Sequence, residues 1–118
     1  MILTRAALRR IAGSMDTLSR LEATIAARRD ADPATSWVAK LHQRGVPVIA
    51  RKLGEEAVET VVAALTGSRE ELIGEAADTL FHLLVLLGAK GVPLAEVLAE
   101  LERREGTSGI AEKAARET

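Results

Sequence analysis

No cysteine occurs among the 118 residues, which excludes disulfides, thiolate metal sites and cysteine nucleophiles. That composition fits a reducing cytoplasm. No sign of charge predominates either. Sixteen basic residues stand against 17 acidic ones for a net charge of −1, which removes the electrostatic case for nucleic acid or an anionic membrane as the main partner. Any phosphate chemistry must then come from local placement of charge. The longest strongly apolar stretch, around Leu80 to Gly88, is about half of the roughly 20 residues that a membrane span needs. Strand-like alternation, internal repeats and low-complexity linkers are missing as well. Acids are missing before Asp16, while Arg5, Arg9 and Arg10 are present, a pattern loosely like a transit peptide. The preferred reading there is a short docking helix with Leu3, Leu8 and Ile11 on its apolar side.

What is present reads almost entirely as helix, in one domain over residues 1–118. Met15, Leu18, Leu21 and Ile25 recur at three- and four-residue intervals, with Asp16 near the start to suit the helix dipole. Asp32-Pro33 breaks that helix and starts a short one carrying Ser36, Trp37, Lys40 and Leu41 before Gly45. Pro47 suits the first turn of a third helix, about 47–66, stopped by Gly67. Ser68-Arg69-Glu70-Glu71 matches a capping box that opens a fourth, about 69–89. Pro93 opens a fifth, with Leu94, Val97, Leu98 and Leu101 as one stripe. Beyond Arg104 the chain reads as a loop and a charged tail. Residues 80–87 are apolar nearly all round except at His82, so the fourth helix belongs at the centre of a bundle. One chain of this size has few elements with which to cover it. The expected fold is therefore all-α, a helical bundle completed by dimerisation into a homodimer.

The informative feature is where acids fall on the two middle helices. At 100° per residue Lys52, Glu56, Glu59 and Thr60 share an arc with Ile49 and Ala63, while Val58, Val61 and Leu65 lie opposite. On the next helix Glu71, Glu75, Asp78 and His82 form a stripe that runs on into Leu86. Acids that continue into apolar surface are costly unless paired or bound to a cation. Glu56/Glu59 and Glu75/Asp78 are each three apart, on consecutive helices expected to pack antiparallel, so the two pairs can face each other. Oxygen-only ligands suit Mg²⁺ or Mn²⁺ rather than zinc, and the pattern lacks the Glu-x-x-His pairs of a di-iron bundle. The bland alternative, solvated acids or partners of Arg51, Lys52 and Arg69, stays open on spacing alone. His82 reads more readily as a hydrogen-bonded core histidine than as a ligand, and Trp37 more readily as a packing anchor than as a base-stacking platform.

Glu55-Glu56-Ala57-Val58-Glu59, followed by Glu75-Ala76-Ala77-Asp78, resembles the signature of the all-α nucleotide pyrophosphohydrolases, the MazG-like superfamily. Ser36-Trp37 with Lys40-Leu41, Lys52 to Ala57, His82-Leu83-Leu84 and the tail from Glu102 to Lys113 narrow the resemblance to the phosphoribosyl-ATP pyrophosphatase family, from about Leu18 to Arg116. Phe81 departs from the tyrosine expected there. The resemblance implies hydrolysis of phosphoribosyl-ATP to phosphoribosyl-AMP and pyrophosphate, with Mg²⁺ (or Mn²⁺) on Glu56, Glu59, Glu75 and Asp78. It also implies Glu55 as the group that orients or deprotonates water, and Lys52 as a phosphate contact. Arg103, Arg104, Gly106, Thr107, Ser108, Gly109 and Lys113, in a tail of about 103–116, would hold the substrate's phosphate or ribose. Rival readings are a broader house-cleaning nucleotide pyrophosphatase and a non-catalytic helical dimerisation module.

Overall fold

The computed structural model describes residues 4–106 and 109–117, apart from the side chains of 7–16, 111, 112 and 117. Among the described residues there are six helices and no strand: α1 Arg5–Arg28, α2 Trp37–Arg44, α3 Val46–Thr66, α4 Arg69–Ala89, α5 Leu94–Arg103 and α6 Gly109–Glu117. The starts of α3, α4 and α5 follow the sequence signals at Pro47, Ser68 and Pro93, whereas α2 begins at Trp37 rather than at Asp32-Pro33, because residues 33–35 form a turn closed on the Asp32 carbonyl. Ser36 caps α2 by accepting from the Ala39 N–H at 3.2 Å, and Ser68 caps α4 by accepting from the Glu71 N–H at 3.1 Å. Gly45 sits at φ +91°, a conformation open to glycine, between α2 and α3, and Pro47 lies in the first turn of α3.

Two further expectations are corrected. The separate docking helix and the helix beginning near Asp16 are one continuous α1, because the only breaker between them is Gly13, worth about 1 kcal/mol, and no proline intervenes. Leu3 and the side chains of Leu8 and Ile11 lie outside the described residues. The charged tail after the Gly106 turn is also helical, since alanines and charged helix formers fill α6.

The hairpin α3–α4 is the spine of the fold, with α1 laid along α4 and α2 bridging α1 and α3. Gly67 permits the tight turn: a Cβ there would stand 2.6 Å from Glu71 Oε2 and 3.0 Å from the Ala63 carbonyl oxygen. The apolar core is at one end of the hairpin, where Ile25 of α1, Val38 and Leu41 of α2, Ile49 of α3, and Leu84 and Val85 of α4 are buried together. Two long-range polar contacts secure α1. Glu22 Oε2 accepts the Leu94 N–H at 2.7 Å, satisfying a first-turn donor of α5, and the Arg29 guanidinium donates to the Gly88 carbonyl at 3.2 Å, near the end of α4. By length and composition α4 is apolar enough to cross a bilayer. Glu75 and Asp78 would then lie in hydrocarbon, where an acid costs about 2.5–3.5 kcal/mol; in the bundle α4 is instead paired along α3.

Coverage of the hairpin is one-sided. Val58 (62% exposed), Val61, Val62 and Leu65 (79%) on α3, and Ile73 and Leu80 on α4, remain open to solvent. Within one chain α4 is thus buried only through His82, Leu84 and Val85. Beyond Leu94, which packs on the core, α5 buries no residue.

Candidate functional site

Towards the Gly67 end of the core, the helix pair becomes polar on its inward faces. Glu56 and Thr60 continue the α3 stripe between Ile49 and Ala63; Glu75 and Thr79 meet them from α4. The two hydroxyls are 2.8 Å apart, and each also lies 2.9 Å from a backbone carbonyl one turn back, Thr60 from that of Glu56 and Thr79 from that of Glu75. With two hydroxyl protons for three contacts, one threonine donates across the hairpin while the one that accepts donates to the carbonyl of its own helix, so the pair links the two carboxylate-bearing turns. Thr79 was not singled out from sequence, yet a signal existed: each threonine follows its glutamate by four residues, one helical turn.

Ligand atoms of Glu56, Glu75 and Asp78 lie within 4.8 Å of one another. Glu56 Oε2 and Glu75 Oε2 are buried without a hydrogen-bond partner. Burial raises the Glu56 carboxyl above its ordinary value, reinforced by the charge of Glu59. Burial likewise pushes Glu75 up to about 7, with Glu59 and then Glu56 adding to the effect. Glu59 is therefore electrostatically part of the cluster, although it stands outside the tight triad and is exposed; with Glu71 and Glu75 it lines a cleft of about 220 Å³ between α3 and α4. Converging carboxylates with orphaned buried oxygens fit a hard divalent cation, which would supply the missing positive partner.

Around this cluster stand the cations and rings. Lys52 Nζ is 3.3 Å from Glu55 Oε2 and 5.8 Å from the centroid of the Trp37 ring. Glu55 also meets the Arg51 Nε at 3.5 Å and is exposed beside Glu59 along an open depression. His82 is buried (6% exposed) and has both ring nitrogens engaged. Trp37 Nε1–H donates to its Nε2 at 3.4 Å, so Nδ1 carries the proton and donates to the Asp78 carbonyl at 2.7 Å. His82 thus has no nitrogen left for a metal.

Two comparisons bear on this arrangement. The model of the family described as phosphoribosyl-ATP pyrophosphohydrolase matches residues 18–105. The chain belongs to that family. A phosphoribosyl-ATP pyrophosphatase of Erythrobacter litoralis is 69% identical over 102 residues, covering 86% of this chain and 98% of that protein. Those of Rhizorhabdus wittichii (70% over 100 residues; 85% and 94% covered) and Dinoroseobacter shibae (63% over 102 residues; 86% and 100%) are similarly alike. The family match takes in the four acids, Lys52, Arg103 and Arg104, and ends just before Gly106.

Among the described residues, Arg103 and Arg104 are engaged within α5 itself. Arg103 donates through Nε and Nη2 to Glu100 at 2.9 and 2.7 Å, and Arg104 Nε donates to the same carboxylate at 3.0 Å. Hydrogen bonds from Arg103 and Arg104 hold the Glu100 carboxyl down at about 2. Glu100, absent from the sequence reading, sits three and four residues before its partners, the ordinary helical spacing for such a clamp. Gly106 turns the chain at φ +79°, Gly109 opens α6, and Lys113 is exposed on it. Thr107 and Ser108 lie outside the described residues.

Proposed function

We propose that this chain hydrolyses phosphoribosyl-ATP to phosphoribosyl-AMP and pyrophosphate, as a cytoplasmic step of histidine biosynthesis, with Mg²⁺ or Mn²⁺ bound by Glu56, Glu59, Glu75 and Asp78. The observation that carries the metal reading is the pair of buried, partnerless carboxylate oxygens on Glu56 and Glu75, which only a cation or a proton can satisfy. The names of the relatives support the substrate. A bound divalent ion would neutralise charge on the triphosphate oxygens and lower the pKa of an attacking water. The protein's own contribution is to hold that charge in place. Thr60 and Thr79 fix the two helices in register at the carboxylates. Lys52 meets a substrate phosphate as a point charge, and Glu55, kept beside Arg51 and Lys52, orients or deprotonates the water. Arg103, Arg104, Gly106, Thr107, Ser108, Gly109 and Lys113 hold the phosphoribosyl end of the substrate.

The working unit in this reading is a homodimer of single-domain chains. Its support is the open apolar face of Val58, Val61, Leu65, Ile73 and Leu80, and an α5 that buries no residue. A pyrophosphate-release assay tests the whole proposal. With Mg²⁺ the protein should turn over phosphoribosyl-ATP far faster than any canonical NTP, and a chelator should stop it. Equal rates across an NTP panel would replace this reading with that of a broad nucleotide pyrophosphatase.

A further inference from the structure

The chain has two aromatic side chains in the narrow sense, Trp37 and Phe81, and no tyrosine. Phe81 is half-buried against the core and stacked edge-on to His82, at 5.1 Å between ring centroids. Trp37 differs. It is 41% exposed, yet held from two sides: its indole N–H is spent on the buried His82, and the Lys52 ammonium stands over the ring. His82 in turn grips the Asp78 carbonyl, and Lys52 lies one turn before Glu56, so an oriented, open indole is positioned at the edge of the acid cluster. An exposed aromatic with its one polar atom pinned is a preorganised flat surface, and a positioned π-face is what a nucleobase stacks on.

We propose that Trp37 is the platform on which the purine ring of the nucleotide stacks, its phosphates running past Lys52 to the carboxylates; this rests on the function proposed above. His82 serves as the positioning residue that sets the angle of the indole. Stacking of this kind is insensitive to which purine edge is presented, so Trp37 supplies affinity for the base and the tail supplies discrimination.

The test compares a ligand with a base and one without. In the presence of Mg²⁺, KM for phosphoribosyl-ATP and the inhibition constant of inorganic tripolyphosphate are measured for the wild-type protein, Trp37→Phe and Trp37→Leu. Trp37→Leu should raise KM between about five- and a hundredfold with kcat little changed, while Trp37→Phe, which keeps a ring, should recover most of the loss. Tripolyphosphate inhibition should be the same in all three. An unchanged KM in Trp37→Leu overturns the platform. So does an equal weakening of tripolyphosphate, which would make Trp37 a support for Lys52, or a fall in particle mass by light scattering, which would make it a subunit contact. Failure of tripolyphosphate to inhibit the wild type would instead strike the metal–phosphate site itself, and the platform would fall with it.

Discussion

Glu75 is the residue on which the site's electrostatics turn. Its folded value of about 7 stands above the ordinary 4.5, so the unfolded chain loses this proton first as pH rises. The folded state therefore has its full stability below pH 4.5, loses it between 4.5 and about 7, and stays at the lower level above that. Metal-free protein should melt at lower temperature at pH 8 than at pH 5.5 on account of this group. Glu75→Gln should flatten that difference, and Mg²⁺ should raise the melting temperature more at pH 8 than at pH 5.5 in the wild type only. A metal-free melting profile in Glu75→Gln identical to that of the wild type would refute the burial of an uncompensated carboxylate. Activity should respond more sharply than stability. Glu56→Gln, Glu59→Gln and Asp78→Asn are each expected to lower kcat by about a hundredfold or more while circular dichroism stays unchanged, since each removes a charge facing the cation but little volume. Near-normal turnover in any of them would remove that residue from the ligand set.

At the level of elements, α3 and α4 carry the acid cluster, and the proposed substrate tail lies on α5 and α6. The spacing of acids on the first pair was readable because helical geometry alone carries residues three and four apart to one face. The placement of the tail was not readable, because nothing local says where a helix docks. Its internal order is clear: Glu100 draws Arg103 and Arg104 together, and with its carboxyl held near 2 this clamp persists through the neutral range. Truncation after Arg104 should raise KM for phosphoribosyl-ATP about tenfold or more while Mg²⁺ affinity, measured by calorimetry, and helicity of the remaining chain hold steady. Arg104→Ala should move KM in the same direction by a smaller factor. Kinetics unaffected by the truncation would leave α6 without a part in substrate binding.

The molecule as a whole is open for a single chain. Its accessible surface of 8585 Å² exceeds the roughly 6,200 Å² expected of a compact monomer of 12.6 kDa, and its radius of gyration of 16.9 Å exceeds the expected 13–14 Å or so. The excess, about 2,400 Å² per chain, is of the size that one side of a large interface, as in the homodimer proposed above, would bury. Light scattering at micromolar concentration should give about twice the chain mass. Leu65→Glu together with Leu80→Glu, placed on exposed positions and so harmless to a monomer's core, should halve that mass and abolish activity. A wild-type mass of 12.6 kDa would end the dimer reading.

Sequence alone determined the features that depend on local chemistry. The helix start at Ser68, the stop at Gly67, and the acid pairs of α3 and α4 all follow from interactions within four residues, which need no knowledge of the fold. Only tertiary structure decided which acids are costly. Glu56, Glu75 and Asp78 converge, while Glu59 stands to one side, because the hairpin register is set by the Thr60–Thr79 contact and the close turn at Gly67. Tertiary structure also turned Trp37 from an expected packing anchor into a half-open ring held by His82. Burial and register are properties of pairs of elements, and a residue's neighbours across an interface leave no mark on its own position in the chain.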